Sequence, residues 1–168
     1  MPNKHLVIGI MGPGENASEK DCGLAYKIGK ILAMENYMVL TGGRNCGVMD
    51  AALKGAKEAG GTTIGILPGE DTSEMSQYTD IPIITGMHNA RNIINILSSK
   101  VVVAIGESPG TLSEIAFALK MKKPVLLLNS SIKTTQTFSR YTGKSFIRME
   151  PFEKNKFLKR LNALILET

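Results

Sequence analysis

The chain has no tryptophan, and aromatic residues make up only 5% of its 168 positions. Proteins that hold single-stranded nucleic acid without reading its sequence stack bases on aromatic side chains, so this shortage argues against such a role. Two cysteines, Cys22 and Cys46, are too few for a disulfide framework. Together with His5 and His88 they show no ligand spacing for a metal, and none is expected. Long apolar runs are missing as well. "LVIGIMG" is shorter than a secretory core or a membrane span requires, and no small-residue cleavage pattern follows it. A cytoplasmic protein without a membrane segment is the expectation. No internal repeat, low-complexity tract or interdomain linker breaks the chain, so residues 1–168 are read as one domain.

What is present is uneven in charge. The net formal charge is +5. Residues 1–119 hold nine basic and twelve acidic side chains, a net of −3, and residues 120–168 hold eleven against three, a net of +8. A basic last third can steer phosphates or nucleic acid toward the protein. It can equally be the solvated face of a helix and its loops.

Short Val/Ile/Leu runs alternate with helical patterns. The strand runs are 5–12, 37–43, 62–68, 81–85, 101–106, 125–129 and 145–149. Helices are expected over 18–35, 47–61 and 89–99, from Thr111 onward, and over 153–167. Near-continuous apolar strands alternating with helices imply an α/β fold, with a mostly parallel sheet covered by helices on both faces. Stretches 69–80 and 130–144 have no clear periodicity and read as lids or surface loops.

Seventeen glycines are many, and several stand where strand runs end. "GIMGPG" (9–14), "TGGRNCG" (41–47) and "GESPGT" (106–111) are three glycine-rich turns at the carboxyl ends of expected strands. In an open parallel sheet, ligands sit beyond those ends. Glycine lets backbone N–H groups approach an anion, and the following helix start adds unpaired N–H groups and a positive dipole. Tight strand-to-helix turns also use glycine when nothing binds. Three at one end of a sheet point to a ligand crevice. The first turn has Met11 and Pro13 where a dinucleotide fingerprint needs glycines, and no G-x-x-x-x-G-K-(S/T) loop occurs. Thr111 and Glu114 admit two readings, a T-x-x-E capping box or a ligand-facing carboxylate.

"GGRNCGVMDAALKGAKEAGG" (42–61) and "ARNIINILSSKVVVAIGESPGTLSEIAFALK" (90–120), in that order and separation, resemble the LOG-type Rossmann-like family. The resemblance spans roughly residues 5–130. It implies a Rossmann-like three-layer sandwich and the release of a free base from a nucleoside 5′-monophosphate. Carried over by position, the family's Arg and Glu fall on Arg91 and Glu114. Glu114 would stabilise positive charge on the sugar or orient water, and Arg91 would hold phosphate or sugar or keep Glu114 ionised. Gly42, Gly43, Gly47 and Met49 match the family's first block, and Gly110 and Thr111 match its second. Gly12, Arg44, Met87, Gly106 and Ser108 complete the expected phosphate-binding set, with amides around Gly110–Leu112 at the helix start.

The departures carry information. Arg44 stands where a third glycine is usual, and Gly106, Glu107 and Ser108 replace P-G-G. Met87 and His88 sit one residue upstream of the family's Met-His. These changes resemble the shorter branch, similar to molybdenum-cofactor carrier proteins. Glu107 puts a negative charge beside an expected anion cradle, so it points elsewhere, holds a cation, or marks a different ligand. The superfamily's old lysine decarboxylase label gains nothing here, because no lysine in the three turns stands out as a Schiff-base former. No resident cofactor is expected. Relatives in the family are dimers, which implies a homodimer or higher homo-oligomer, although Ile93, Ile94, Ile96 and Leu97 are equally explained by core burial.

Three functions stay open. One is a hydrolase of nucleoside monophosphates. Another is a carrier or sensor of a phosphate-bearing, nucleotide-like cofactor such as molybdenum cofactor. Single-strand DNA binding ranks last; it rests on a resemblance of residues 91–119 to the Rossmann-like domain of bacterial DNA-processing proteins.

Overall fold

In the computed structural model, residues 6–142 and 145–167 are described. Seven strands form one sheet: β1 Val7–Met11, β2 Met38–Thr41, β3 Thr63–Leu67, β4 Ile81–Ile84, β5 Val101–Ile105, β6 Val125–Leu128 and β7 Phe146–Arg148. Their order is β4-β3-β2-β1-β5-β6-β7, and every pairing is parallel. Strand order reverses between β1 and β5, so a crevice opens beyond their carboxyl ends. The helices are α1 Glu19–Met34, α2 Gly47–Glu58, α3 Asn92–Leu97, α4 Pro109–Lys120, α5 Ile132–Ser139 and α6 Lys154–Leu166, with a 3-10 turn at His88–Arg91 ahead of α3. This is a Rossmann-like α/β sandwich.

Alternation along the central strands builds two cores. Val101, Val103, Ile105, Leu126 and Leu128 face one layer with residues of α1, α2 and α6. Val102, Ala104, Val125 and Leu127 face the other with Ile96, Ile115 and Ala118. Burial on both faces explains why these strands read as unbroken apolar runs.

Helices α1 and α2 touch through glycine. A β-carbon on Gly29 would lie 2.1 Å from Ala52 O, and one on Gly55 would lie 2.1 Å from Tyr26 O. No larger residue fits at that crossing.

Two segments differ from the sequence reading. The 130–144 stretch contains α5, capped by Ser131, whose side chain accepts from Thr134 N–H. That helix buries none of its residues, so it lacks the apolar period that would have announced it. The helix expected from Thr111 begins two residues earlier, at Pro109. Proline presets the backbone for the first helical position, and Ser108 supplies the cap. Stretch 69–80 carries no regular element, only an isolated bridge between Arg44 and Met75. His5, at the start of the first expected strand, lies outside the described residues. Among the described residues, no helix is long and apolar enough to cross a membrane.

Candidate functional site

The turns after β1, β2 and β5 converge on a hollow of about 260 Å³. Gly12, Gly42, Arg44, Met49, Ser108, Gly110 and Thr111 line it, together with Arg91 and Glu114. Gly12 is tightly fixed: a β-carbon there would lie 2.7 Å from Ile105 O, so the first turn can rest against the end of β5 only as glycine. The structure does not bring the remaining four expected residues to the lining. Gly43, Gly47 and Gly106 adopt positive φ and shape the turns from behind. Met87 is 45% exposed and lies outside it.

Glu114 is 7% exposed. Its Oε1 accepts a 2.9 Å hydrogen bond from Asn95 Nδ2. Burial pushes its carboxyl up to about 7, against the pull of the Asn95 bond and the Arg91 charge. The capping-box reading is therefore corrected. Ser108 Oγ accepts from Thr111 N–H at 3.1 Å and pairs with Thr111 Oγ1 at 2.8 Å. Glu114 stands one turn too far along to reach the cap and faces the hollow instead. A second correction concerns the amides at this helix start. Thr111 N–H is taken by the Ser108 side chain and Leu112 N–H by Ser108 O. Gly110 N–H is the free one in the Gly110–Leu112 group.

Arg91 is 6% exposed, so it is no surface ion pair. Its Nε donates to Ile66 O at 2.8 Å, Nη1 to His88 O at 3.0 Å, and Nη2 to Gly42 O at 3.3 Å. One side chain thus ties the ends of β2 and β3 to the 3-10 turn and spends three of its five N–H groups there. Burial pulls its pKa down, and Glu114 works the other way.

Arg44 spans the mouth. Nη2 reaches Glu15 Oε1 at 2.8 Å in the β1 turn and Glu74 Oε1 at 3.2 Å in the 69–80 stretch. These bonds raise its pKa, Glu15 most of all.

Glu107 points away from the hollow. Its Oε1 accepts from Ser130 Oγ and from Ser131 N–H, both at 2.6 Å. Burial alone would raise its pKa, but these bonds prevail and hold it down at about 2. The charge that stood against an anion cradle is spent on the β6–α5 turn.

Three asparagines outside the expected set belong to the site. Asn89 and Asn92 line the hollow, Asn92 Nδ2 donates to Ser113 Oγ at 3.1 Å, and Asn95 holds Glu114. Their spacing of three residues puts them on one side of the turn and α3. That polar stripe was readable beside the Ile93–Leu97 pattern. Among the described residues, no group of three His, Cys, Asp or Glu side chains could hold a metal ion.

The SLOG cluster4 family profile matches residues 5–155. The chain belongs to this family. An uncharacterized protein of Archaeoglobus fulgidus is 39% identical over 129 residues, 77% of this chain and 83% of that relative. Among solved structures, the molybdenum cofactor binding protein of Rippkaea orientalis is 45% identical with a TM-score of 0.91, covering 95% of this chain and 97% of that one. The molybdenum cofactor carrier protein of Chlamydomonas reinhardtii is 44% identical with a TM-score of 0.89, covering 96% and 98%. DNA processing protein A of Helicobacter pylori, at 18% identity and a TM-score of 0.71, shares the fold alone. The family membership and these neighbours agree with the LOG-type resemblance and its shorter, carrier-like branch.

Proposed function

We propose that this SLOG cluster4 protein carries molybdenum cofactor, a pterin with a dithiolene and a terminal phosphate, in the hollow over β1, β2 and β5. The observation that carries the reading is likeness along nearly the whole chain, at 45% identity, to a molybdenum cofactor binding protein. The chemistry of the hollow supports it. Arg91 keeps two N–H groups beyond its three carbonyl bonds, Gly110 N–H is free, and the mutually bonded Ser108 and Thr111 hydroxyls leave one O–H to donate. These are donors suited to a phosphate. Glu114, neutral below about pH 7, lets an anion approach without repulsion. The hollow of about 260 Å³ would take the phosphate-bearing end, and the ring system would extend toward its open mouth near Arg44. The reading includes a cytoplasmic setting and a homodimer.

A second reading, nucleoside 5′-monophosphate phosphoribohydrolase, is favoured by the same buried Glu114. Above its pKa the carboxylate would stabilise positive charge on the sugar while water replaces the departing base.

One experiment separates them. The protein is mixed anaerobically with cofactor released from a molybdoenzyme, passed over a sizing column, and assayed for its power to reactivate cofactor-free enzyme. A carrier retains active cofactor in its own peak and releases no adenine from AMP. Cofactor that elutes only in the small-molecule volume defeats the carrier. Adenine release lost in Glu114→Gln would put the hydrolase in its place.

A further inference from the structure

A second, larger cavity of about 750 Å³ lies between α1 and the segment leading from β7 to α6. Its wall on α1 is formed by Lys20, Gly23, Leu24 and Lys27. Facing them are Arg148 and Phe152, with Met149 and Pro151 between. The volume is that of a small-molecule site, apolar in its lining with a few polar groups at the rim.

Three observations give it a chemistry. First, Lys20 and Lys27 have no hydrogen-bond or ion-pair partner among the described residues. They stand two helical turns apart, about 10 Å along α1, and put two uncompensated positive charges on one side of the cavity. Second, the acid in the lining is already used. Glu150 Oε1 accepts from Ser130 N–H and Oε2 from Arg148, at 2.9 and 2.6 Å. Arg148 Nη1 is not engaged by these bonds. Third, Gly23 is bare. A glycine inside a helix is unfavourable relative to alanine. Gly29 and Gly55 answer that cost with the α1–α2 crossing, where a β-carbon would strike backbone. A β-carbon on Gly23 would meet nothing within 4 Å. Packing does not require this glycine, and its absent side chain leaves the cavity wall open.

We propose that this cavity binds a small amphipathic anion, an aromatic or apolar body carrying one phosphate or carboxylate. The body lies against Leu24 and Phe152 over Gly23, and the anionic group is held between Lys20, Lys27 and Arg148. The ligand is separate from the one in the hollow, whose lining shares no residue with this cavity.

The test is an amide-resolved NMR titration of the whole protein with phenyl phosphate and with phenylacetate, which separate the two anionic groups. Inorganic phosphate and benzyl alcohol serve as the charge-only and ring-only controls. Saturable shifts at Gly23, Leu24, Met149 and Phe152 are expected with at least one aromatic anion, with each control about tenfold weaker or more. Gly23→Leu fills the opening, and its melting temperature should equal or exceed that of the wild type because nothing stands in the way. It should weaken the aromatic anion by about tenfold or more. Lys20→Glu with Lys27→Glu, both exposed and unpaired, should do the same should Gly23→Leu fail to fold. Shifts confined to Gly12, Gly42 and Gly110, no saturable shift, or affinity unchanged in these variants would overturn the proposal.

Discussion

The Glu114 side chain accepts a hydrogen bond from Asn95 and has almost no contact with water. Its carboxyl titrates near 7 in the folded protein, because burial disfavours the charge more than Asn95 and Arg91 favour it, against 4.5 for the free side chain. A raised carboxyl binds its proton more tightly in the native state than in the unfolded one. Its contribution to stability is therefore whole below about pH 4.5 and is lost as pH rises through 7. The full loss is on the order of 3 kcal/mol. Glu114→Gln should flatten that part of the profile and be the more stable protein at pH 8, as urea unfolding at pH 5 and pH 8 would measure. The same titration bears on the ligand. Deprotonation places a negative charge beside the anion, so affinity for a phosphate-bearing ligand should fall as pH rises through 7, and the fall should vanish in Glu114→Gln. Asn95 adjusts this balance. Its Nδ2 bond favours the ionised carboxylate, and Asn95→Ala should move the Glu114 pKa further up, read by carboxyl carbon NMR.

At the scale of elements, the site depends on how α4 begins and on what holds the strand ends together. Ser108 Oγ satisfies Thr111 N–H, and Ser108→Ala should cost about 1 kcal/mol. Glu114→Ala should leave that cap intact, which a true capping box would not allow. Arg91 binds carbonyls of Gly42, Ile66 and His88, two of these bonds buried. Arg91→Met strands buried acceptors at roughly 1–3 kcal/mol each, and thermal unfolding should show a loss of about 3 kcal/mol or more. Arg91→Lys should not restore it, because a single ammonium cannot reproduce the planar fork. These contacts also explain what was legible. The strands were readable because burial on both faces demands unbroken Val/Ile/Leu runs, and the crevice because glycine turns follow β1, β2 and β5. Arg91 and Glu114 were found through a motif, yet their partners were not. Three of Arg91's bonds go to backbone carbonyls, which leave no trace in residue type. Thr111 and Glu114 matched a cap on spacing, but Pro109 and Ser108 had already set the helix start. Helix α5 escaped because an exposed helix needs no apolar stripe.

The whole molecule is asymmetric from one sheet edge to the other. On the β7 side lies the basic last third of the chain. On the opposite edge, β4 exposes every one of its residues, with Ile81, Ile83 and Ile84 at 44, 43 and 49%. Ile81 and Ile83 share one face of this open edge strand, with Ile84 on the other, and such exposed apolar side chains on an edge invite a second chain. Pro82 supplies no N–H and works against continuing the ladder itself. Contact through β4 should accordingly be side-chain packing rather than one extended sheet. Such a contact gains little from charge, so raising the salt should not weaken it. Sedimentation equilibrium should show concentration-dependent dimers at both low and high salt. Ile81→Lys with Ile83→Lys places two cations on that edge and should yield monomers. Both positions are already open to solvent, so the melting temperature of the monomer should stay within a few degrees of the wild type. A wild-type protein that sediments as a monomer at every concentration, or a double variant that still dimerises, would show that β4 is not the self-association surface.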